Sequence, residues 1–328
     1  MTIDKTVLVP LDVDETFALL TQPERLRRWQ VVSARMDLRA GGDFRWTVLP
    51  GANASGTFVE VEPGKRLVYT WGWESERLGI GPEPDGSTIT ITLEPAEGGT
   101  SVRLVHEGLT AEQEEAHSHG WDHFLGRLVT AATDGSAGLD PNLQQPAENW
   151  DPLTSAEASL AVCEYVLAQM GEGEGKAQTP CSLYDVDQLA EHLCGSLVGL
   201  GGCVGVEAAP DMAAPLEVRV ADLGQKVLEG WRRHGLEGEV NLGPGPFPAE
   251  TACGILSMEF LVHAWDFAQA TGHTVPANDG LSTYVLGLAH GLIRPSFRGE
   301  GQGFAEELPA GDDAGPMEQL LAFTGRQP

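Results

Sequence analysis

The hydrophobic period of this chain changes once, and that change restricts its fold more than any other feature. Between residues 44 and 106 apolar and polar side chains alternate in short runs: Phe44–Leu49, Gly56–Val61, Leu67–Trp73, Thr88–Leu93 and Ser101–His106. The runs are rich in Val, Ile, Thr and Trp and are separated by Pro, Gly or Asp, the pattern of antiparallel strands. From Ser155 onward the period is helical. Leu160–Met170, Asp185–Leu200, Pro215–His234, Glu250–Thr271 and Leu281–Leu292 read as helices, with Pro180 and Ser182 as start signals for the second and Gly272 ending the fourth. Four or five helices with short loops read as a bundle. A chain of 328 residues has room for both arrangements as separate domains.

The segment before the alternating runs carries a short strand, Thr6–Leu11. A helix follows from Asp14 with Phe17, Leu19 and Leu20 as its apolar positions, then a second short helix from Pro23 through Trp29. After the last strand, Trp121, Phe124, Leu125, Leu128 and Val129 form an i, i+3, i+4, i+7, i+8 stripe on a helix starting near Thr110, long enough to cover one face of a sheet. Asp134–Pro152 has few apolar residues and three prolines and reads as a linker. The expected division is 1–135, a linker at 136–154, and 155–328.

Charge narrows the function. Against 48 Asp and Glu stand 20 Lys and Arg, a net of −28 spread through both halves. Such a surface repels phosphate backbones, so nucleic acid is not an expected partner. No apolar run reaches the length of a membrane span, and the N-terminus lacks the layout of a signal peptide, so a cytoplasmic chain with no membrane partner is expected. The five cysteines, Cys163, Cys181, Cys194, Cys203 and Cys253, form no CxxC and read as reduced thiols, with Cys181, Cys194 and Cys253 as packing or loop thiols rather than ligands or nucleophiles.

Chemistry concentrates in the second half. Glu259 and His263 lie one helical turn apart on a face that also carries Ala252, Ile255, Leu256 and Phe267. His192 sits beside the stripe Val186, Leu189, Leu193 and Leu197. Burying three polar side chains without partners costs roughly 1–3 kcal/mol each. A metal removes that cost, and two His with one Glu leave a fourth position open, as in catalytic zinc sites. The same spacing equally fits a surface Glu–His pair and a hydrogen-bonded core histidine.

Three stretches carry a resemblance: TPCSLYDVDQLAEHL (Thr179–Leu193), MEFLVHAWDFAQATG (Met258–Gly272) and the ending LLAFTGRQP (Leu320–Pro328). Together they resemble the actinobacterial DinB-like metal-binding family, close to the N-terminal domain of mycothiol-dependent maleylpyruvate isomerase, over about residues 155–328. The resemblance implies an all-α four-helix bundle holding a divalent metal, zinc first, through His192, Glu259 and His263. Tyr184 stands where the family commonly has Trp, and Ala264 where it has Gly. Asp266, three residues after His263, can orient a ligand imidazole or serve as an ordinary helix acid. Trp265 reads as packing.

The first half carries a second resemblance. PLDVDETFALLTQPERLRRW, GGDFRW, GTFVEVEPGKRLVYTW, TITITLEPAEGGTSVRLVHEGL and GWDHFLGRL resemble the SRPBCC superfamily, in the branch named after the activator of the heat-shock ATPase, over about residues 5–133. That implies a START-like α+β helix-grip fold, an antiparallel sheet wrapped on a long C-terminal helix around an apolar cavity. Alternation nominates Trp46, Trp71, Trp73, His106, Trp121 and Leu125 for its wall, or equally for a filled core. In the run HSHGWDH (His117, His119, His123) no nearby Cys or carboxylate completes an obvious second metal site. GEGEGK (Gly171–Lys176) lacks the Ser or Thr and the preceding strand of a phosphate loop.

The combined expectation is a metal-dependent transferase or isomerase. It would use a low-molecular-weight thiol of the mycothiol kind, or water, against an electrophile, with the helix-grip domain binding a small apolar molecule. Two other readings stand beside it: a non-catalytic ligand- or client-binding protein with a structural or sensory metal, and a metal-assisted hydrolase or cyclase.

Overall fold

The computed structural model describes residues 2–74, 81–143, 145–171, 173–181, 183–243, 245–299 and 304–327. Ser182, Glu172 of the GEGEGK run and Pro328 of the C-terminal motif lie outside the described residues. The chain divides into two compact units, Met1–Asp140 and Pro141–Pro328.

The first unit is an AHSA1-like helix-grip fold. Seven strands form one sheet in the order β1-β7-β6-β5-β4-β3-β2, with every neighbouring pair antiparallel. β2 (Ser33–Met36), β3 (Asp43–Leu49), β4 (Ala52–Glu62), β5 (Arg66–Trp73), β6 (Ser87–Ala96) and β7 (Gly99–Glu107) follow one another as a meander. β1 (Thr2–Val9) adds to the free edge of β7, pairing Val7 with Val102. Two helices, α1 (Val13–Thr21) and α2 (Pro23–Leu26), lead from β1 to β2.

The long helix α3 (Ala111–Asp134) starts on a capping box between Thr110 and Gln113 and ends at Gly135 in the left-handed conformation. It buries Trp121, Leu125 and Leu128 in the same core as Phe44, Trp46, Tyr69, Trp71 and Ile89 of the sheet. Arg127 fixes its far end by donating to the carbonyls of Trp29 (2.8 Å) and Gly138 (2.7 Å).

Two elements of this unit depart from the sequence reading. β1 begins at Thr2 rather than Thr6, because the ladder to β7, with Thr2 opposite Glu107, holds a segment whose only buried apolar side chain before Thr6 is Ile3. β2 went unread because four residues carry too little alternation to register.

In the second unit α4 (Pro152–Leu167) packs against α6 (Leu216–His234) and α7 (Ala249–Thr271), and α5 (Val186–Gly202) packs against the same two. α8 (Asp279–Leu292) and α9 (Pro316–Phe323) pack on each other, and α8 also packs on α7. The expectation of an all-α second half needs one correction. β8 (Glu239–Asn241) and β9 (Pro246–Pro248) pair antiparallel as a short ribbon. Three-residue strands, the second of them Pro-Phe-Pro, leave no period-two signal.

α4 also begins earlier than Leu160. The Asp151 carboxylate accepts from the N–H groups of Leu153 and Thr154, and Pro152 takes the first helical position. Its first turns, Ser155, Ala156, Ala158 and Ser159, are buried, so no polar face gives the helix an amphipathic signature. Ser155 and Ser257 share a hydroxyl hydrogen bond of 2.7 Å where α4 meets α7.

The stretch read as a linker is partly structured. Two single turns, Pro141–Leu143 and Ala147–Asn149, belong to the second unit and bury Leu143 and Trp150. Among the described residues, no helix is long and apolar enough to cross a membrane.

Candidate metal centre

The structure brings His192 of α5 together with Glu259 and His263 of α7, with one potential ligand atom from each lying within 4.8 Å of the others. Glu259 Oε2 is 3.8 Å from His192 Nε2 and 3.7 Å from His263 Nε2. Both separations are too long for hydrogen bonds. Four ligands placed tetrahedrally about 2.1 Å from a zinc ion stand about 3.4 Å apart, so a small contraction fits these three to one ion. Glu259 Oε2 is buried and has no hydrogen-bond partner. A buried carboxylate oxygen aimed between two imidazole nitrogens fits a divalent cation, and the donor set suits zinc.

Local structure sets each ligand. Asp185 caps α5, its carboxylate accepting from the Gln188 N–H (2.9 Å) while the Gln188 side chain accepts from the Asp185 N–H. Just upstream, the Thr179 hydroxyl donates to the Tyr184 carbonyl (2.7 Å), and the Tyr184 N–H donates to the Cys181 carbonyl (2.9 Å). This turn lays Tyr184 flat on the His192 ring, with centroids 5.1 Å apart and planes 17° apart. His263 Nδ1–H donates to Asp266 Oδ2 (2.9 Å), which leaves the Nε2 lone pair facing Glu259.

Asp266 is wholly buried and receives a two-pronged hydrogen bond from Arg326: Nε to Oδ1 at 3.2 Å and Nη2 to Oδ2 at 2.8 Å. Burial opposes its ionisation, but the His263 hydrogen bond and the Arg326 charge outweigh that and hold its carboxyl below the usual range. Burial pushes His192 below the ordinary imidazole value; Glu259 opposes the shift, and His263 and Arg326 add to it. A neutral imidazole is the ligating form.

The three side chains line a cavity of about 320 Å³ whose other walls include Leu183, Met258, Val262 and Phe304. Cys181 lines the same cavity, although its sequence reading was a packing or loop thiol; burial pushes that thiol up, which keeps it protonated. All five cysteines are free, and burial raises Cys163 and Cys253 as well. Trp265 is buried as packing. Arg326, in the LLAFTGRQP ending, has no role that the sequence alone predicts; the signal available is a glycine at 325 just past the helical run.

In the first unit the nominated residues come from the sheet (Trp46, Trp71, Trp73, His106) and from α3 (Trp121, Leu125). Trp46, Trp71, His106, Trp121 and Leu125 are buried in one core, and Trp73 packs against it half-buried. His106 is fully bonded. Indole N–H groups only donate, so Trp121 Nε1–H gives its proton to Nδ1 (3.1 Å), and His106 Nε2–H donates to Ser87 Oγ (2.8 Å), which donates onward to the Trp71 carbonyl (2.8 Å). Burial, with a smaller push from His117, lowers the His106 pKa to about 3. His117 accepts from Trp73 Nε1 (3.1 Å) and donates to the Gln113 carbonyl (2.8 Å). The indole N–H groups of Trp46 and Trp71 are buried with no acceptor. The histidine run of α3 disperses: His123 reaches Asp140 at 2.8 Å, and His119 is exposed.

Residues 10–133 match the family described as activator of Hsp90 ATPase homolog 1-like protein. The uncharacterized protein Rv0738 of Mycobacterium tuberculosis is 30% identical over 180 residues, covering 54% of this chain and 98% of that protein. That alignment is longer than the first unit, Met1–Asp140, and therefore reaches the second. The Homo sapiens activator of 90 kDa heat shock protein ATPase homolog 1 is 27% identical over 111 residues, 34% of this chain and 30% of that protein. Among solved structures, MLL2253 from Mesorhizobium loti is 24% identical and covers 41% of this chain and 98% of its own, with a TM-score of 0.36. DynU16, from the dynemicin biosynthetic locus, is 24% identical and covers 46% and 57%, with a TM-score of 0.38.

Proposed function

Because this chain belongs to the family of the mycobacterial protein Rv0738 and carries an AHSA1-like domain over residues 10–133, we propose a metal-dependent function for the helical unit and a ligand-binding one for the AHSA1-like unit. The helical unit, read as DinB-like, holds one divalent metal at His192, Glu259 and His263, zinc first. It uses a low-molecular-weight thiol of the mycothiol kind, or water, against an electrophilic small molecule.

The observation that carries this reading is the buried Glu259 oxygen, unpaired between two imidazole nitrogens at 3.7 and 3.8 Å. When bound there, a divalent metal supplies Lewis acidity and lowers the pKa of a coordinated thiol or water.

The side chains set the charge of the site. Asp266 and Arg326 neutralise each other, so Glu259 contributes the one uncompensated negative charge among ligands and supports. A divalent ion then leaves about one positive charge, which favours an anionic fourth ligand. The apolar walls of Leu183, Met258, Val262 and Phe304 suit an apolar body on that ligand.

The test is metal analysis of the full chain, followed by cobalt(II) loading and addition of small thiols. One cobalt per chain, with a sulfur-to-cobalt absorption appearing on thiol addition, supports thiol use. Metal without any thiol response favours the hydrolase or cyclase reading. No metal uptake refutes both.

The ligand-binding role of the AHSA1-like unit rests on a different observation. Trp73 and Trp121 have acceptors, whereas the neighbouring indoles of Trp46 and Trp71, with centroids 5.8 Å apart, have none. A small apolar ligand bearing a carbonyl would satisfy them. Tryptophan fluorescence titration with such carbonyl compounds, comparing the native chain with Trp71→Phe, tests this; identical titrations would exclude it.

A further inference from the structure

The C-terminal segment reaches the carboxylate that bonds His263. α9 ends at Phe323, and Gly325 then adopts the left-handed conformation at φ 81°. The Gly325 N–H bonds to the Ala322 carbonyl (3.0 Å), and the Arg326 N–H bonds to the Leu321 carbonyl (2.8 Å). These are the paired bonds of a Schellman turn. The turn folds the chain back and directs Arg326, only 8% exposed, at Asp266 on α7. A side chain at 325 would collide with Ala305, since an added Cβ comes within 2.7 Å of its methyl carbon.

Arg326 is spoken for on three sides. Nε and Nη2 grip the two oxygens of Asp266 at 3.2 and 2.8 Å, and Nη1 donates to the Thr324 carbonyl at 3.0 Å. The planar fork matches the carboxylate plane and fixes the Asp266 rotamer as a single hydrogen bond would not. Asp266 in turn accepts from His263 Nδ1 at 2.9 Å. An imidazole held at one nitrogen has one ring orientation and one tautomer.

We propose that Arg326 is a positioning residue: clamped by the turn after α9, it locks Asp266, and through it holds His263 as the Nδ1–H tautomer with Nε2 turned to Glu259 and the cavity. The orientation stands on the hydrogen bonds alone; its consequence for metal rests on the function proposed above.

The test uses the full chain, with the conservative variant Arg326→Lys beside Arg326→Ala in case the latter fails to fold. Lysine keeps the charge but loses the fork. Two readouts are taken at neutral pH: the imidazole tautomer of His263 by ¹H–¹⁵N correlation in metal-free protein, and zinc affinity by chelator competition. The expected result is a single Nδ1–H tautomer in the native chain, a mixture in Arg326→Lys, and zinc binding weaker by about tenfold to a hundredfold at unchanged helicity.

An unchanged tautomer and affinity in Arg326→Lys overturns the proposal, including where only the melting temperature falls, since Arg326 would then be a structural pin. If the tautomer shifts but the native chain takes no zinc, the positioning role stands and the metal reading fails. If the native chain and Arg326→Lys bind zinc equally with the same tautomer, the positioning role fails and the metal reading stands.

Discussion

The two units each place a pair of histidines close together, and they treat them in opposite ways. In the first unit both ring nitrogens of His106 and both of His117 have protein partners: Trp121, Ser87, Trp73 and the Gln113 carbonyl. In the second unit His192 and His263 turn Nε2 toward a carboxylate oxygen that neither reaches within hydrogen-bond distance. The ring centroids are equally close, 5.3 Å apart in each pair. Proximity therefore does not distinguish the two pairs; satisfaction does. A closed network of neutral donors and acceptors makes a rigid core. Converging donors with an orphaned charge are costly to keep and make sense where a cation joins them.

The comparison predicts its largest effect at low pH, in the closed pair. The folded pKa of His106 is about 3, below the ordinary unfolded value of about 6.5. As pH falls through 6.5 the unfolded chain takes up the proton first, so stability of the first unit is lost between about pH 6.5 and 3. The loss reaches on the order of 4 kcal/mol. His106→Phe removes that part of the slope, seen as a flatter dependence of the urea midpoint on pH. At pH 7 the same variant costs about 2 kcal/mol, because the Trp121 N–H loses its acceptor and Ser87 loses a donor. Zinc binding by the second unit should not change.

A smaller effect should appear where the open pair is supported. Asp266→Asn presents an amide to His263 in place of a carboxylate and should weaken zinc tenfold to a hundredfold, about 1.4 to 2.7 kcal/mol, by chelator competition. Smaller still, and opposite in sign, is the effect of Glu259→Gln on stability. Removing a carboxylate whose Oε2 is buried and unbonded should stabilise the metal-free chain by up to about 1 kcal/mol in urea unfolding, the sign of a group kept for function. Destabilisation instead would place Glu259 with the structural residues. Least of all, Tyr184→Leu should cost zinc affinity only a few-fold, since stacking orients His192 without bonding to it.

Legibility in the sequence followed the range of the interactions. β3 to β7 and the α3 stripe announce themselves because half-buried elements alternate or repeat at their own period. The first turns of α4 do not, since the small buried residues Ser155, Ala156, Ala158 and Ser159 read as a polar tail of the linker. Glu259 and His263 were visible as an i, i+4 pair, and His192 joined them as a third polar side chain beside an apolar stripe; because nothing local links positions on two helices, the spacing fitted a surface pair and a core histidine equally, and the family resemblance favoured the metal reading. Arg326 was legible only as part of a quoted ending. Its partner Asp266 lies 60 residues away, and the turn that aims it depends on one glycine. The histidines of HSHGWDH look like a cluster in a line of text, but His117 and His123 leave α3 on different faces and find different partners, Trp73 and Asp140.

The central claim is that the open pair and Glu259 form a metal site. Calorimetric titration of zinc into the chelator-stripped full chain, beside Glu259→Gln, tests it most directly. The account predicts one zinc per native chain, with affinity lost in the variant by more than the hundredfold that a supporting residue can cost. No uptake by the native chain, or equal uptake by both, would contradict it.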